Sequence, residues 1–361
     1  MPIKKIAIIG TVGLPPRYGG FETFANQLII YLSDKYKFLV FCSKTNYKLR
    51  EKEYFSAERI FLPFKANGWQ SVFYDTFSIL YSLFKVDTLL ILGVSGCILL
   101  PVIKPFHKKK IIVSIDGLDT QRAKWSRIAK IFLEISEYCA VKYSDNVISD
   151  NKIIKEYIKS KYNIDSKLIT YGGDQSKKIT VQPNDLIKYS FLNVNYALSI
   201  ARIEKENHSE LILKSFAQNC KMKLVYIGTW NHTKYSKYLY NKYKSFNNII
   251  LLKSIYDIYD LNLIRSNCTI FIHGNSAGGT NPGLLEAMHI GLPIIAYNVD
   301  FNRNVTENNA LFFTTKDQLQ NHIKTYTADK KLKSNNSLQV NRIAKEKYMW
   351  KDIAMQYAKI L

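Results

Sequence analysis

The sequence predicts an α/β protein of two doubly wound domains, each a parallel sheet covered by helices on both faces. Three observations carry this. Short apolar, often β-branched runs recur along the chain and alternate with longer amphipathic stretches. The rhythm pauses between about Gly172 and Asn195, in a polar, irregular segment containing Pro183, and then restarts. The 361 residues suit two domains better than one, at roughly 100–200 residues per domain.

In chain order, Lys5–Gly10 (KIAIIG) reads as a buried strand entering a Gly/Pro loop, Thr11–Gly20, and Phe21–Lys35 has apolar residues at helical spacing. Phe38–Cys42, Thr88–Leu92 and Lys110–Ile115 are further strands, and Gln121–Val141 is an amphipathic helix. After the pause, strands are predicted at Tyr196–Ile200, Lys223–Gly228, Ile249–Leu252, Thr269–His273 and Pro293–Tyr297, and a helix over Asn341–Ile360. The organisation that follows is a domain at 1–180, a linker at 181–194, a domain at 195–340 and a closing helix at 341–361 that packs back toward the first domain.

Composition narrows the function classes. With 47% hydrophobic and 22% charged residues the chain can build a large core and is not intrinsically disordered. Cys42, Cys97, Cys139, Cys220 and Cys268 are odd in number and scattered, without a C-x-x-C pair, which speaks against a disulfide framework and a zinc site and for a reducing cytosol. Met1–Gly10 has no signal-peptide core, and the longest apolar stretch, Thr88–Ile103, is broken by Gly93, Ser95, Gly96 and Pro101, so it reads as strand, turn and helix start rather than a membrane span. No D-x-D, H-x-x-x-H, H-E-x-x-H or G-x-S-x-G pattern occurs, so no metal ligands, cofactor or serine nucleophile are predicted. Lone His273 and His289 read as structural.

The net charge of +22 calls for an anionic partner: nucleic acid, a membrane surface or a phosphorylated small molecule. In open parallel sheets ligands bind at the carboxyl ends of strands, and three loops lie there. Gly10–Glu22 (GTVGLPPRYGGFE) places Gly19 and Gly20 where backbone N–H groups can approach an anion at a helix start, although a tight turn explains the loop equally well. In Phe271–His289, Asn281 can cap a helix that Pro282 opens, with N–H groups from about Gly278 to Gly283 facing a phosphate. Glu286, one turn in and among apolar neighbours, is costly to bury unless it binds something polar, such as sugar or ribose hydroxyls. Arg202, after Tyr196–Ile200, offers a bidentate fork to a diphosphate.

GTVGLPPRYGGFETF, DGLDTQRAKW, SIARIEKEN and HGNSAGGTNPGLLEAM, in this order, resemble the GT-B retaining glycosyltransferases of family 4, in their bacterial rhamnosyltransferase-like branch. The likeness runs from about Lys5 to Phe313. It implies two Rossmann-like domains facing a central cleft, and transfer of L-rhamnose from dTDP-rhamnose to a lipid-diphosphate-linked saccharide in capsule or O-antigen biosynthesis. A UDP-hexose donor on the same fold is the alternative within enzymes. Carried over, Gly19 and Gly20 contact the donor diphosphate, Arg202 neutralises it, Gly279, Thr280 and Asn281 lie against phosphate and sugar, and Glu286 holds the ribose. Three departures stand out. The first Glu of the family's E-x7-E is Gly278, which suits a less polar 6-deoxy sugar. The usual Lys is Asn207, leaving Lys205 as substitute charge. The usual His is Asp116, able to accept a hydrogen bond from an acceptor hydroxyl.

Outside enzymes, a basic nucleic-acid-binding protein is the alternative, but lysines spread along the whole chain do not form its basic stripe, and no nucleic-acid partner is expected. Lys108, Lys109, Lys110, Arg122, Lys124, Arg127 and Lys130 instead surround Trp125, Ile128, Ile131 and Phe132. Such a segment either solvates its charges while packing its apolar side on the core, or meets an anionic membrane. The expected location is cytoplasmic, peripheral on the inner face of the bacterial membrane.

Overall fold

The computed structural model describes residues 3–17, 19–117, 125–218 and 221–361. The chain divides into two units, Met1–Tyr171 with Trp350–Leu361, and Gly172–Met349. The passages between them fall at Tyr171–Gly172 and Met349–Trp350, and the segment expected as linker, 181–194, lies inside the second unit.

The first unit runs β1 (Lys4–Ile9), α1 (Gly20–Leu32), β2 (Tyr36–Ser43), β3 (Glu53–Tyr54), β4 (Ala57–Leu62), α2 (Gln70–Ser82), β5 (Thr88–Leu92), α3 (Leu100–Ile103), β6 (Lys110–Ile115), α4 (Arg127–Tyr143), β7 (Asn146–Ser149), α5 (Lys152–Tyr162) and β8 (Lys167–Leu168). Among the described residues its sheet has eight strands in the order β3-β4-β2-β1-β5-β6-β7-β8, parallel except for β3 against β4. Ile6–Ile9, Phe38–Cys42 and Leu89–Leu92 are buried, as central strands covered on both faces require. The order reverses between β1 and β5: β2 and β4 lie to one side, β6, β7 and β8 to the other. That switch point opens a crevice beyond the carboxyl ends of β1 and β5. Gly10, at φ +99°, closes it underneath, because a Cβ there would lie 2.1 Å from the Leu92 carbonyl oxygen.

The second unit continues with α6 (Pro183–Lys188), β9 (Tyr196–Ile200), α7 (Ser209–Ala217), β10 (Lys223–Gly228), α8 (Lys234–Tyr243), β11 (Ile249–Lys253), α9 (Ile258–Ser266), β12 (Ile270–His273), α10 (Pro282–Ile290), β13 (Ile294–Tyr297), α11 (Asp300–Thr306), β14 (Leu311–Phe313), α12 (Lys316–Ala328) and α13 (Lys330–Lys347). Its described strands form an all-parallel six-stranded sheet, β11-β10-β9-β12-β13-β14, with the reversal between β9 and β12. The loops after β9 and β12 are therefore the ones that line a ligand crevice.

The single helix expected over Asn341–Ile360 is two, α13 and α14 (Trp350–Ala358). Tyr348 breaks it: its carbonyl accepts from Gly173 N–H at 3.1 Å and faces His289 Nε2 at 2.9 Å, so it cannot continue the helical ladder. Past the break α14 packs in the first unit against α1, with Tyr357 edge-on to Phe24 at 4.9 Å between ring centres. The helix expected from Gln121 is described from Arg127, Gln121 itself lying outside the described residues with Arg122 and Lys124.

Candidate functional site

In the second unit the two switch-point loops are built into each other. Gly274 opens the loop after β12, and a Cβ on it would lie 2.2 Å from the Asn207 carbonyl oxygen, so only glycine lets the loop after β9 approach. Ser276 donates from both N–H (2.9 Å) and Oγ (3.0 Å) to the Glu206 carbonyl. His208 faces the Gly274 carbonyl through Nδ1 at 2.9 Å and stacks on Tyr297. Buried Asn302 donates to the carbonyls of Asn275 and Tyr297, both at 2.9 Å. This framework fixes two backbones that would otherwise be mobile loops.

Arg202 emerges at the carboxyl end of β9 with 39% of its side chain exposed and Glu204 Oε1 3.8 Å from its guanidinium. Asn207, at the position where the resemblance leads one to expect lysine, is buried and donates from Nδ2 to the Arg202 carbonyl at 2.7 Å. It therefore shapes the loop that presents Arg202. Lys205 is exposed on the same turn.

Beyond β12, Gly278 has φ +112°, a conformation that side-chain-bearing residues rarely adopt. Thr280 is buried and Gly279 and Asn281 half-buried. Asn281 caps α10, its Oδ1 accepting from Gly283 N–H at 3.0 Å, and Pro282 is the first helical residue. The expectation that amides as far as Gly283 face a ligand is corrected here. Gly283 N–H is taken by the cap and Leu284 N–H by the Asn281 carbonyl at 3.0 Å, so α10 leaves anion contacts to the loop ahead of it.

Glu286 is positioned from below. Arg265 on α9, its side chain 2% exposed, donates from Nη2 to Glu286 Oε2, while Gln175 Nε2 donates to Oε1 at 2.7 Å. Arg265 also donates to Ser176 Oγ at 3.0 Å and Asn262 Oδ1 at 3.3 Å. The acid expected to need sugar hydroxyls thus has a buried guanidinium as counter-charge. Sequence reasoning missed Arg265 and Gln175, which no local spacing connects with Glu286. Burial lowers the His273 imidazole to about 4 and also lowers His289, whose Nε2 faces the Tyr348 carbonyl.

In the first unit the loop between β1 and α1 is held by Glu22. This buried acid accepts from Val12 N–H at 2.6 Å through Oε1 and from Gly19 N–H at 2.8 Å through Oε2. Buried Arg59 of β4 donates to the Leu14 carbonyl at 2.9 Å, and the Tyr47 hydroxyl to the Pro15 carbonyl at 2.9 Å. Of the two glycines assigned to a diphosphate, Gly19 gives its amide to Glu22 and Gly20 begins α1. An acid three residues after an N-cap is a readable signal, and it points to Glu22. Asp116 follows β6, half-buried. The Tyr171 phenol is pushed well above its ordinary value by burial and then by the carboxylates of Asp116 and Asp150, which places both acids near it.

Among the described residues no group of three or more His, Cys, Asp or Glu is placed to hold a metal ion. No described helix is long and apolar enough to cross a membrane.

Two parallel-sheet units, the second with an arginine and a glycine loop meeting at its switch point, define a GT-B architecture, and the comparisons agree. Residues 185–347 match the family described as glycosyl transferases group 1, and residues 3–174 match a domain of unknown function, DUF1972. No curated protein matches the sequence. Sucrose-phosphate synthase from Thermosynechococcus elongatus superposes with a TM-score of 0.82 at 16% identity, spanning 99% of this chain and 98% of that one. HepE from Anabaena, solved with UDP-glucose, gives 0.77 at 15% identity, and its complex with UDP 0.76 at 14%, each over 99% of this chain and 98% of that one. The chain is an enzyme, a glycosyltransferase, rather than a nucleic-acid-binding protein.

Proposed function

We propose that the enzyme is a retaining, metal-independent glycosyltransferase that moves L-rhamnose from dTDP-rhamnose onto a lipid-diphosphate-linked saccharide, at the inner face of a bacterial membrane, in cell-surface polysaccharide biosynthesis. The observation that carries this is that the loops bearing Arg202 and Gly278–Asn281 leave neighbouring strands at the β9/β12 switch point and are joined there by Ser276 on Glu206 and His208 on Gly274. The physical task is to stabilise a departing nucleotide diphosphate while the acceptor hydroxyl attacks the anomeric carbon from the same face. The Arg202 fork answers that charge bidentately, and the loop amides supply oriented dipoles that need no reorganisation. Lys205 adds exposed positive charge on the Arg202 turn. Gly279, Thr280 and Asn281 are assigned to phosphate and sugar, and Glu286, oriented by Arg265 and Gln175, to the ribose hydroxyls. In the first unit Gly20 opens α1 toward the donor, and Asp116 accepts a hydrogen bond from the acceptor hydroxyl.

The choice of a 6-deoxy sugar is supported by Gly278, whose backbone excludes the acid that would otherwise contact sugar hydroxyls. A second reading, a UDP-hexose donor, is favoured by the likeness to HepE, solved with UDP-glucose. Incubating the purified protein with dTDP-, UDP- and GDP-sugars, with and without EDTA, decides. The expected result is thermal protection and slow hydrolysis selective for dTDP-rhamnose and indifferent to EDTA. Selectivity for a UDP-hexose moves the assignment to the second reading, and strict metal dependence defeats the mechanism.

A further inference from the structure

The helix before β7 carries, besides the side it packs on the core, a second apolar stripe. α4 buries Leu133, Ser136, Glu137 and Ala140, whereas Ile128, Ile131, Ile135 and Tyr138, at helical spacing, form a stripe facing outward. Ile128 is 82% exposed. α2 repeats the pattern: Tyr74, Ser78, Ile79 and Ser82 face inward, and Phe73, Phe77, Leu80 and Phe84 are exposed, Phe84 at 78%. Trp69, just before α2, is 73% exposed.

These stripes share one surface. The connections β4–α2–β5, β5–α3–β6 and β6–α4–β7 all advance across the sheet in the same direction, so right-handed crossovers put the three helices on the same face. Contacts join them. The Ser95 hydroxyl donates to Asp75 of α2, Ile98 N–H donates to Ser136 Oγ of α4 at 3.1 Å, and Phe84 meets the His107 ring edge-on at 5.6 Å. Between α2 and α4, Val102 and Phe106 are exposed as well, Phe106 at 81%.

Basic residues dominate the border of this surface. Lys108, Lys109, Arg127 and Lys130 border it, exposed or half-exposed. Of the acids on α2 and α4, Asp75 and Glu137 are buried and Glu134 is exposed but paired. Asp75 faces Ser95, Glu137 is buried under Tyr157 and Tyr162, and Glu134 pairs with Lys161 at 2.8 Å. A second copy of the chain would bring the same basic border against itself, and the exposed acids Glu134 and Asp145 are already paired with Lys161 and Lys104. An anionic bilayer answers both features, accepting the aromatic and aliphatic side chains at its interface and the lysines at its headgroups.

We infer that the outer faces of α2, α3 and α4 form a membrane-docking surface that seats the enzyme on anionic lipid by inserting Phe77, Phe84, Phe106 and Ile131. This deepens, and for its purpose rests on, the proposed lipid-linked acceptor. The test is flotation of the full chain with vesicles of phosphatidylglycerol and phosphatidylcholine, against phosphatidylcholine alone. The wild type is expected to float with the anionic vesicles and to show a blue shift of tryptophan emission that Trp69→Phe abolishes. Combining Phe84→Ser, Phe106→Ser and Ile131→Ser should weaken partitioning at least about tenfold with little change in thermal melting, because these side chains are mostly solvent-exposed. Lys108→Glu with Lys130→Glu should erase the preference for anionic lipid. Failure of the wild type to float, or undiminished flotation of the triple variant, overturns the inference. So does a wild-type dimer that the triple variant dissolves with vesicle binding unchanged, since the face is then a contact between copies. Sugar-nucleotide binding, measured on the same samples, separates this outcome from the catalytic reading: the triple variant should keep it, and its absence in the wild type would count against the donor assignment alone.

Discussion

Each unit places a glycine loop at the switch point of its sheet, and the two loops are held in opposite ways. In the first unit an acid inside the following helix, Glu22, turns back onto the loop and accepts two of its amides, Val12 and Gly19. In the second, the acid inside the following helix, Glu286, turns away from the loop and is held by Arg265 and Gln175. Its loop is shaped instead by neutral contacts: Asn207 on the Arg202 carbonyl, Ser276 on Glu206 and Asn302 on Asn275. The difference teaches where an incoming anion is welcome. The first loop carries its own negative charge at the helix start, while the second keeps its acid paired with a guanidinium and presents a second guanidinium, Arg202, on the turn beside it.

The strongest way to break this comparison is to remove the counter-charge of Glu286. Arg265→Ala would leave a carboxylate with 15% side-chain exposure facing only Gln175. A buried pair broken on one side typically costs about 3–5 kcal/mol, and thermal melting should show it as a large drop. Adding Glu286→Gln should recover part of the loss, because the uncompensated charge is gone. Melting of Arg265→Ala at the wild-type temperature would mean that Glu286 is balanced elsewhere.

Arg202→Ala sharpens the same contrast from the other side. Its side chain is 39% exposed and Glu204 lies 3.8 Å from the guanidinium, so stability should change by no more than about 0.5 kcal/mol. Turnover should fall about 100- to 1,000-fold, the usual consequence of losing one preorganised group that stabilises developing negative charge. That outcome would assign one guanidinium to the fold and the other to the chemistry. Unchanged turnover in Arg202→Ala would remove the residue from the site.

The sequence made much of this architecture readable, and the unread parts share a cause. β1, β2, β5 and β6, and β9, β10, β12 and β13, are mostly buried apolar runs, which have no other economical use than central strands. β11, at the sheet edge, was legible from its Ile-Ile-Leu-Leu run although only Ile249 is buried. β4 escaped notice because its buried Arg59 sits beside Glu58 and makes AERIFL look like surface, while β8 is two exposed residues at a sheet edge. The loops of the candidate site were legible from their glycines and their place after apolar runs. At Gly278 the sequence shows only that the acid is missing, and the positive φ adds the backbone reason for glycine there. Arg265 and Gln175 were invisible because they reach Glu286 through the packing of α9 and the chain after Tyr171, a long-range juxtaposition that no spacing encodes. α4 illustrates the limit of periodicity itself. Its apolar residues were evident, but only the burial of Leu133, Ser136, Glu137 and Ala140 shows that Ile128, Ile131, Ile135 and Tyr138 face outward.

A smaller effect probes the first loop. Glu22→Gln keeps the shape of the side chain but offers one acceptor oxygen where Glu22 uses two, and it removes the charge that strengthens both bonds. The expected stability loss is about 1.5–3 kcal/mol, and amide exchange at Val12 and Gly19 should accelerate more than at strands β1 and β5. The kinetic consequence separates two roles for this loop. If its order is what the donor needs, KM for the sugar nucleotide rises while kcat holds. If Gly19 and Gly20 grip the diphosphate directly, deleting a negative charge beside them strengthens the grip, and KM falls despite the looser loop. The satisfied amide of Gly19 predicts the first outcome, and a lowered KM would return Gly19 to the diphosphate.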